Sequence, residues 1–181
     1  MPRYVALLRG VNVGKGNRVP MAEWRAQIES LGATRVRTLI NSGNAVFSHA
    51  ARSGAPLAGR IRAALAEGLD VDTPVIVRSA AEMAAIAKEN VLAKSVTDFA
   101  RLLVVFPSDA AALAGLAAIR SLVKAPERFE IGRHAAYLWC PKGSLESEAG
   151  KALLGRSGRA VTTRNWATVL KLVALLDEDE G

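Results

Sequence analysis

Two ferredoxin-like β-α-β-β-α-β halves of an α+β fold are the architecture this sequence predicts. Three observations carry that expectation. The 181 residues are 50% hydrophobic and 23% charged, which is enough to bury a core. Short β-rich runs alternate with helical periodicities, and their order occurs twice. Proline and glycine punctuate the chain where each element should start or stop. The halves are read as residues 1–79 and 101–176, with a connecting helix and linker at 80–100 and an acidic tail at 177–181. Their sheets are expected to be antiparallel or mixed, with helices packed on one face.

Arg3 to Leu8 is an apolar run of the length of a buried strand. A Gly-rich polar loop follows from Gly10 to Val19. Pro20 suits the first helical position, and Met21, Trp24, Ile28 and Leu31 step along one helix face until Gly32. Thr34 to Ile40 and Ala45 to Ser48 are β-rich and flank Asn41-Ser42-Gly43-Asn44, a hairpin signal. Pro56 opens a helix bearing Leu57, Ile61, Leu65 and Leu69, and Pro74 to Val77 is the next strand. Ala80 to Glu89 is the connecting helix.

The order then repeats. Arg101 to Phe106 again sets one Arg before apolar residues. Ser108 or Asp109 can cap a helix carrying Leu113, Leu116, Ile119 and Leu122. Arg128 to Ile131 and Ala135 to Cys140 form a hairpin around Gly132-Arg133. Leu145 to Leu154 is read as helical and Arg159 to Thr162 as a last short strand. The final helix places Trp166, Val169, Leu170, Val173 and Leu176 on one face.

The strongest chemical signal is Arg9-Gly10-Val11-Asn12-Val13-Gly14-Lys15-Gly16-Asn17-Arg18, between a strand and a helix. Glycines permit a tight backbone whose N–H groups can face an anion, and three cations lie beside it. The spacing is not that of a P-loop, and Val19 breaks the dinucleotide-binding pattern. In a split β-α-β unit the first and second strands run parallel, with the third between them. The loop and the turn at 41–44 should therefore converge. Asn12, Asn17, Asn41, Ser42 and Asn44 would then sit beside Arg9, Lys15 and Arg18. A third segment, Thr162 to Trp166, has Thr163 or Asn165 as a helix cap. It sets Arg164 at a helix N-terminus, where a cation is unfavourable without an anion.

These segments together resemble one family, the proteins called domain of unknown function 1697. The marks are Ala6-Leu-Leu-Arg-Gly-Val-Asn-Val-Gly14, Asn17 with Met21, Ile40-Asn-Ser-Gly-Asn44, and Thr163-Arg-Asn-Trp166. The resemblance spans almost the whole chain. It implies the two-part ferredoxin-like architecture and no established activity, so no catalytic residue is carried over.

Net charge is +7, and residues 1–176 alone carry +11, because four acids lie in the tail. Such a body attracts phosphates and nucleic acid. The expected partner is a phosphate-bearing small molecule, such as a nucleotide, or nucleic acid. It would be held by Arg9, Asn12, Lys15, Asn17, Arg18, Asn41, Ser42, Asn44, Arg164 and Asn165. Aromatics are only 5%, and only Tyr4 and Phe47 fall on the first half's strands, so the aromatic pattern of RNA-recognition sheets is absent. A second reading is an enzyme acting on a small anionic substrate at the same edge. No carboxylate or histidine lies in the three segments, and Glu23 is the nearest candidate base. Cys140 reads as a core thiol. A third reading is a protein-interaction adaptor, with an acidic tail that can fold back and compete with an anionic ligand. One cysteine excludes an intramolecular disulfide, and His49 and His134 are far apart, so neither a metal nor a cofactor is implied. No secretory signal or spanning segment is visible, which predicts a cytoplasmic protein without membrane contact.

Overall fold

The computed structural model describes residues 1–155 and 158–178. The chain divides into two compact units, Met1–Met83 with Ala174–Gly181, and Ala84–Val173. The first unit runs β1 (Arg3–Leu8), α1 (Met21–Ser30), β2 (Thr34–Leu39), β3 (Asn44–Ser48), α2 (Gly54–Leu69) and β4 (Val75–Ser79). Its sheet has the order β2-β3-β1-β4, the ferredoxin-like arrangement, and every neighbouring pair is antiparallel. β1 and β2 therefore run parallel on either side of β3.

Side-chain alternation decides which face the helices cover. Tyr4, Ala6 and Leu8 of β1 pack with Ala45 and Phe47 of β3, and Trp24, Ile28, Leu57, Ile61 and Leu65 of α1 and α2 close over them. Each buried Leu or Ile here contributes roughly 1.5–3 kcal/mol of transfer free energy. Pro20 stands one residue earlier than its predicted role, as the cap in extended conformation, and its carbonyl accepts the first helical bond from Trp24 N–H at 3.0 Å. α2 begins two residues before Pro56, so that proline falls in the first turn, where its missing N–H costs nothing.

α3 (Ala80–Glu89) leads into the second unit. There β5 (Leu102–Pro107), α4 (Ala110–Gly115), β6 (Arg128–Ile131), β7 (Ala136–Trp139), α5 (Glu148–Leu154), β8 (Val161–Asn165) and α6 (Trp166–Asp177) follow. The sheet order β6-β7-β5-β8 repeats the first topology, again with antiparallel neighbours. Leu103, Val105, Leu138, Leu116, Ile119 and Leu153 form its core on one sheet face. Three predicted elements differ in detail. The helix after Asp109 tightens into a 3₁₀ stretch over Leu116–Leu122. The helix expected over 145–154 is broken at Ser147, whose hydroxyl caps α5 by accepting Gly150 N–H at 3.0 Å. The last strand extends to Asn165, because it pairs along β5 from Leu103 to Pro107. Among the described residues no helix is long and apolar enough to cross a membrane.

Candidate functional site

The loop after β1 is held by its own amides. Gly10, Asn12 and Gly14 all have left-handed backbone, with φ of 63°, 56° and 53°. Asn is one of the few side-chain-bearing residues that accept this conformation. Asn12 N–H donates to the Asn17 carbonyl at 2.7 Å, and Gly16 N–H to the Val13 carbonyl at 2.9 Å. A Cβ on Gly16 would lie 3.0 Å from that carbonyl, so a side chain there would require the loop backbone to give by a few tenths of an ångström. The base of the loop is buried through Val11 and Val19, which join the first unit's core. Its tip, Val13 to Arg18, is exposed.

The predicted convergence of loop and turn is present, and Asn12 makes it. Its Oδ1 accepts Val19 N–H at 2.9 Å, and its Nδ2 donates to the carbonyls of Val19 and Asn41, both at 2.8 Å. Asn44 pairs with Leu7 in the sheet, and its buried Nδ2 donates to the Leu39 carbonyl and Ser42 Oγ, both at 3.0 Å. Leu8 N–H donates to the Gly43 carbonyl at 2.9 Å. Gly43 has φ 84°, and a Cβ there would meet Leu8 Cβ at 2.7 Å, so only glycine lets the turn lie against β1. The far side of the loop is tied to the approach to β4. Arg9 N–H donates to the Pro74 carbonyl at 3.2 Å, and Thr73 Oγ1 donates to the Arg9 carbonyl.

The side-chain amides of Asn12 and Asn44 thus bond to the fold itself. Exposed at the edge are Lys15, Asn17, Arg18 and Asn41, with Ser42 and Arg9 half-buried beside them. Arg18 reaches back to the Gly14 carbonyl at 2.9 Å. The N–H groups of Val13, Gly14 and Lys15 have no protein acceptor among the described residues. Glu23, the nearest carboxylate in sequence, is exposed on α1.

Arg164 and Asn165 belong to the second unit. Arg164 directly precedes the cap of α6, as expected, but it also lies within β8, opposite Val104, and is 7% exposed. It donates to Thr162 Oγ1 at 3.0 Å and to the Thr163 carbonyl at 2.8 Å, and burial pushes its guanidinium down to about 10. Asn165 is the cap, its Oδ1 accepting Thr168 N–H at 2.9 Å. The first unit holds the counterpart. Arg78 stands opposite Val5 in β4, and Ser79 Oγ accepts Glu82 N–H at 3.2 Å at the start of α3. Val77-Arg-Ser79 and Thr163-Arg-Asn165 are one repeated element, an arginine in the last strand followed by a helix cap. Its only trace in the sequence is an Arg followed by Ser or Asn before each helix, too short a signal to stand out without the paired strands.

A second cluster has no sequence signal. Glu89, at the end of α3, accepts the N–H groups of Arg133, His134 and Ala135 at 3.0, 3.0 and 3.2 Å and the Tyr137 hydroxyl at 3.0 Å. Burial raises the Glu89 carboxyl, but the bonds from His134 N–H, Tyr137, Arg133 N–H and the His134 ring outweigh it, and the net shift is down. Cys140 is buried, its thiol pushed up to about 11 mainly by that burial, so it is a poor nucleophile.

The sequence model of one family, the proteins of unknown function DUF1697, matches residues 1–137. That stretch includes the loop and the turn and stops before Thr163–Trp166. No curated protein matches. Among solved structures, the conserved bacterial protein SP0830 from Streptococcus pneumoniae is similar at a TM-score of 0.81 and 27% identity, over 97% of this chain and 99% of that one. The chain belongs to the DUF1697 family.

Proposed function

We propose that this protein binds a phosphate-bearing ligand, a nucleotide or nucleic acid, at the edge formed by the loop after β1 and the β2–β3 turn. One observation carries the reading: Asn12 locks the loop at its base, while Lys15, Asn17 and Arg18 stay exposed at its tip. Two cations held on a fixed backbone lose less entropy on binding than cations on a mobile one. Left-handed residues spaced along a loop make backbone concavities that take anions, and the amides of Val13, Gly14 and Lys15 are available to one. The net charge of +7 favours approach of polyanions.

The test is thermal unfolding of the full chain with pyrophosphate, nucleotides, and short RNA and DNA, at low and moderate salt. A bound ligand raises the midpoint by mass action. A phosphate site at this edge predicts a rise that fades with salt and is lost when Lys15 and Arg18 are both changed to Ala. No rise with any of these anions refutes it.

A further inference from the structure

Ile40 is the wrong residue for its position on two separate grounds. It opens the β2–β3 turn with φ 50°, a left-handed backbone that β-branched side chains rarely adopt. Of the four non-glycine residues with such backbone among the described residues, Asn12, Arg35 and Asp70 are polar, and Ile40 alone is apolar. Burial does not offset the strain, because Ile40 is 51% exposed. Asn or Gly would satisfy both backbone and solvent. A local choice that opposes both is the kind found where function overrides stability.

A second exposed aliphatic residue lies in the loop that this turn meets. Val13 is 57% exposed, and the residues next to each, Asn12 and Asn41, share the 2.8 Å bond that joins loop to turn. Two exposed aliphatic side chains are thus held at the edge that carries Lys15, Arg18, Asn17 and Asn41. Inorganic phosphates and sugar phosphates offer nothing for the aliphatic pair. A nucleotide offers a flat, weakly hydrated base a few bonds from its phosphate. The exposed amides of Asn17 and Asn41 each offer a donor and an acceptor of the kind a base edge pairs with.

We infer that the edge recognises a nucleotide unit, with the base seated on Ile40 and Val13 and the phosphate at Lys15 and Arg18. This rests on the phosphate reading above and narrows it to ligands carrying a base. Free nucleotide and single-stranded nucleic acid share that chemistry.

The experiment compares wild type, Ile40→Asn and Val13→Ser, each as the full chain. The probes are pyrophosphate, AMP, a short labelled oligoribonucleotide and anionic phosphatidylglycerol vesicles. Ile40→Asn is expected to raise the unfolding midpoint, because it relieves the backbone. It should also weaken AMP or oligonucleotide binding by about tenfold, the worth of one apolar contact, while pyrophosphate binding is unchanged. Val13→Ser should weaken the base-bearing probes in the same way, and it keeps the test decisive if Ile40→Asn fails to fold. Loss for AMP identifies a free nucleotide, and loss for the oligonucleotide alone identifies nucleic acid. Equal loss for pyrophosphate overturns the inference, since Ile40 then only shapes the loop. Unchanged affinity for both base-bearing probes overturns it, and so does binding to vesicles alone. If wild type binds neither pyrophosphate nor a base-bearing probe, the phosphate reading itself has failed.

Discussion

The two halves share a topology and differ most at one joint. In the first, twelve residues, Arg9 to Pro20, connect β1 to α1; in the second, Ser108 and Asp109 alone connect β5 to α4. Asp109 supplies what the fold needs there, its carboxylate accepting Ala112 N–H at 2.8 Å as the chain turns into the helix. The topology therefore does not demand the long connection. What the extra residues add is an exposed cationic tip on a base locked by Asn12. An exposed tip that the topology does not demand, on a base built into the core, is a better candidate for function than any element the two halves have in common.

The hairpin turns sharpen the contrast. Each has four residues, 40–43 and 132–135, and each is pinned by one side chain from elsewhere in its unit. A neutral amide from the long loop pins the first, and the Glu89 carboxylate pins the second. The first latch serves the candidate site, and the second closes a structural hairpin.

The most damaging change breaks the second latch. Glu89→Ala strands three backbone donors and removes one acceptor of the Tyr137 hydroxyl, which keeps its 2.6 Å bond to the Ile86 carbonyl. It should cost about 2–3 kcal/mol by urea unfolding, without altering anion binding. Next comes Asn12→Gly, which keeps the left-handed backbone but removes the amide. A loss of about 1–2 kcal/mol is expected, together with weaker binding to short RNA in a salt titration, because the tip is no longer held. Asp109→Ala should cost about 1 kcal/mol, the worth of a helix cap, with binding intact.

Acid separates the latches without mutation. Glu89 has its carboxyl lowered from an ordinary 4.5, so its contribution is complete above that value and is lost as pH falls through the depressed one. Protection against hydrogen exchange at Arg133 to Ala135, relative to the intrinsic rate at each pH, should therefore fall on acidification below about pH 4.5, while the neutral Asn12 latch shows no matching change at Val19. Equal loss of protection at both would mean that global unfolding, and not the carboxylate, sets the response.

Most of the fold is legible in the sequence, and what is not has a common cause. Apolar stepping locates α1 through Trp24 and Ile28, and the expected parallel course of β1 and β2 brings loop and turn together. Local pattern cannot tell which of several asparagines crosses between segments. Asn12 and Asn17 look alike as letters, yet one is bonded to Val19 and Asn41 and the other is exposed at the tip. Glu89 gives no signal because its partners lie more than forty residues on, across a tertiary contact. Arg164 falls in a strand as well as beside a helix start because the length of β8 is set by pairing with β5, not by its own short apolar flank. Of the acidic tail, Glu178 makes an exposed 2.8 Å pair with Arg37, and residues 179–181 lie outside the described ones.

Excising the loop's tip while leaving its base puts the proposed site to a single test. Val13 to Arg18 would be replaced by two glycines, with Asn12 and Val19 retained, and binding of a short labelled oligoribonucleotide and of AMP followed against wild type at low salt. A site on the tip predicts a cooperatively folded protein with near-native stability that has lost binding to whichever of the two probes wild type takes. Binding that survives the excision would contradict that placement and move the site elsewhere on the molecule.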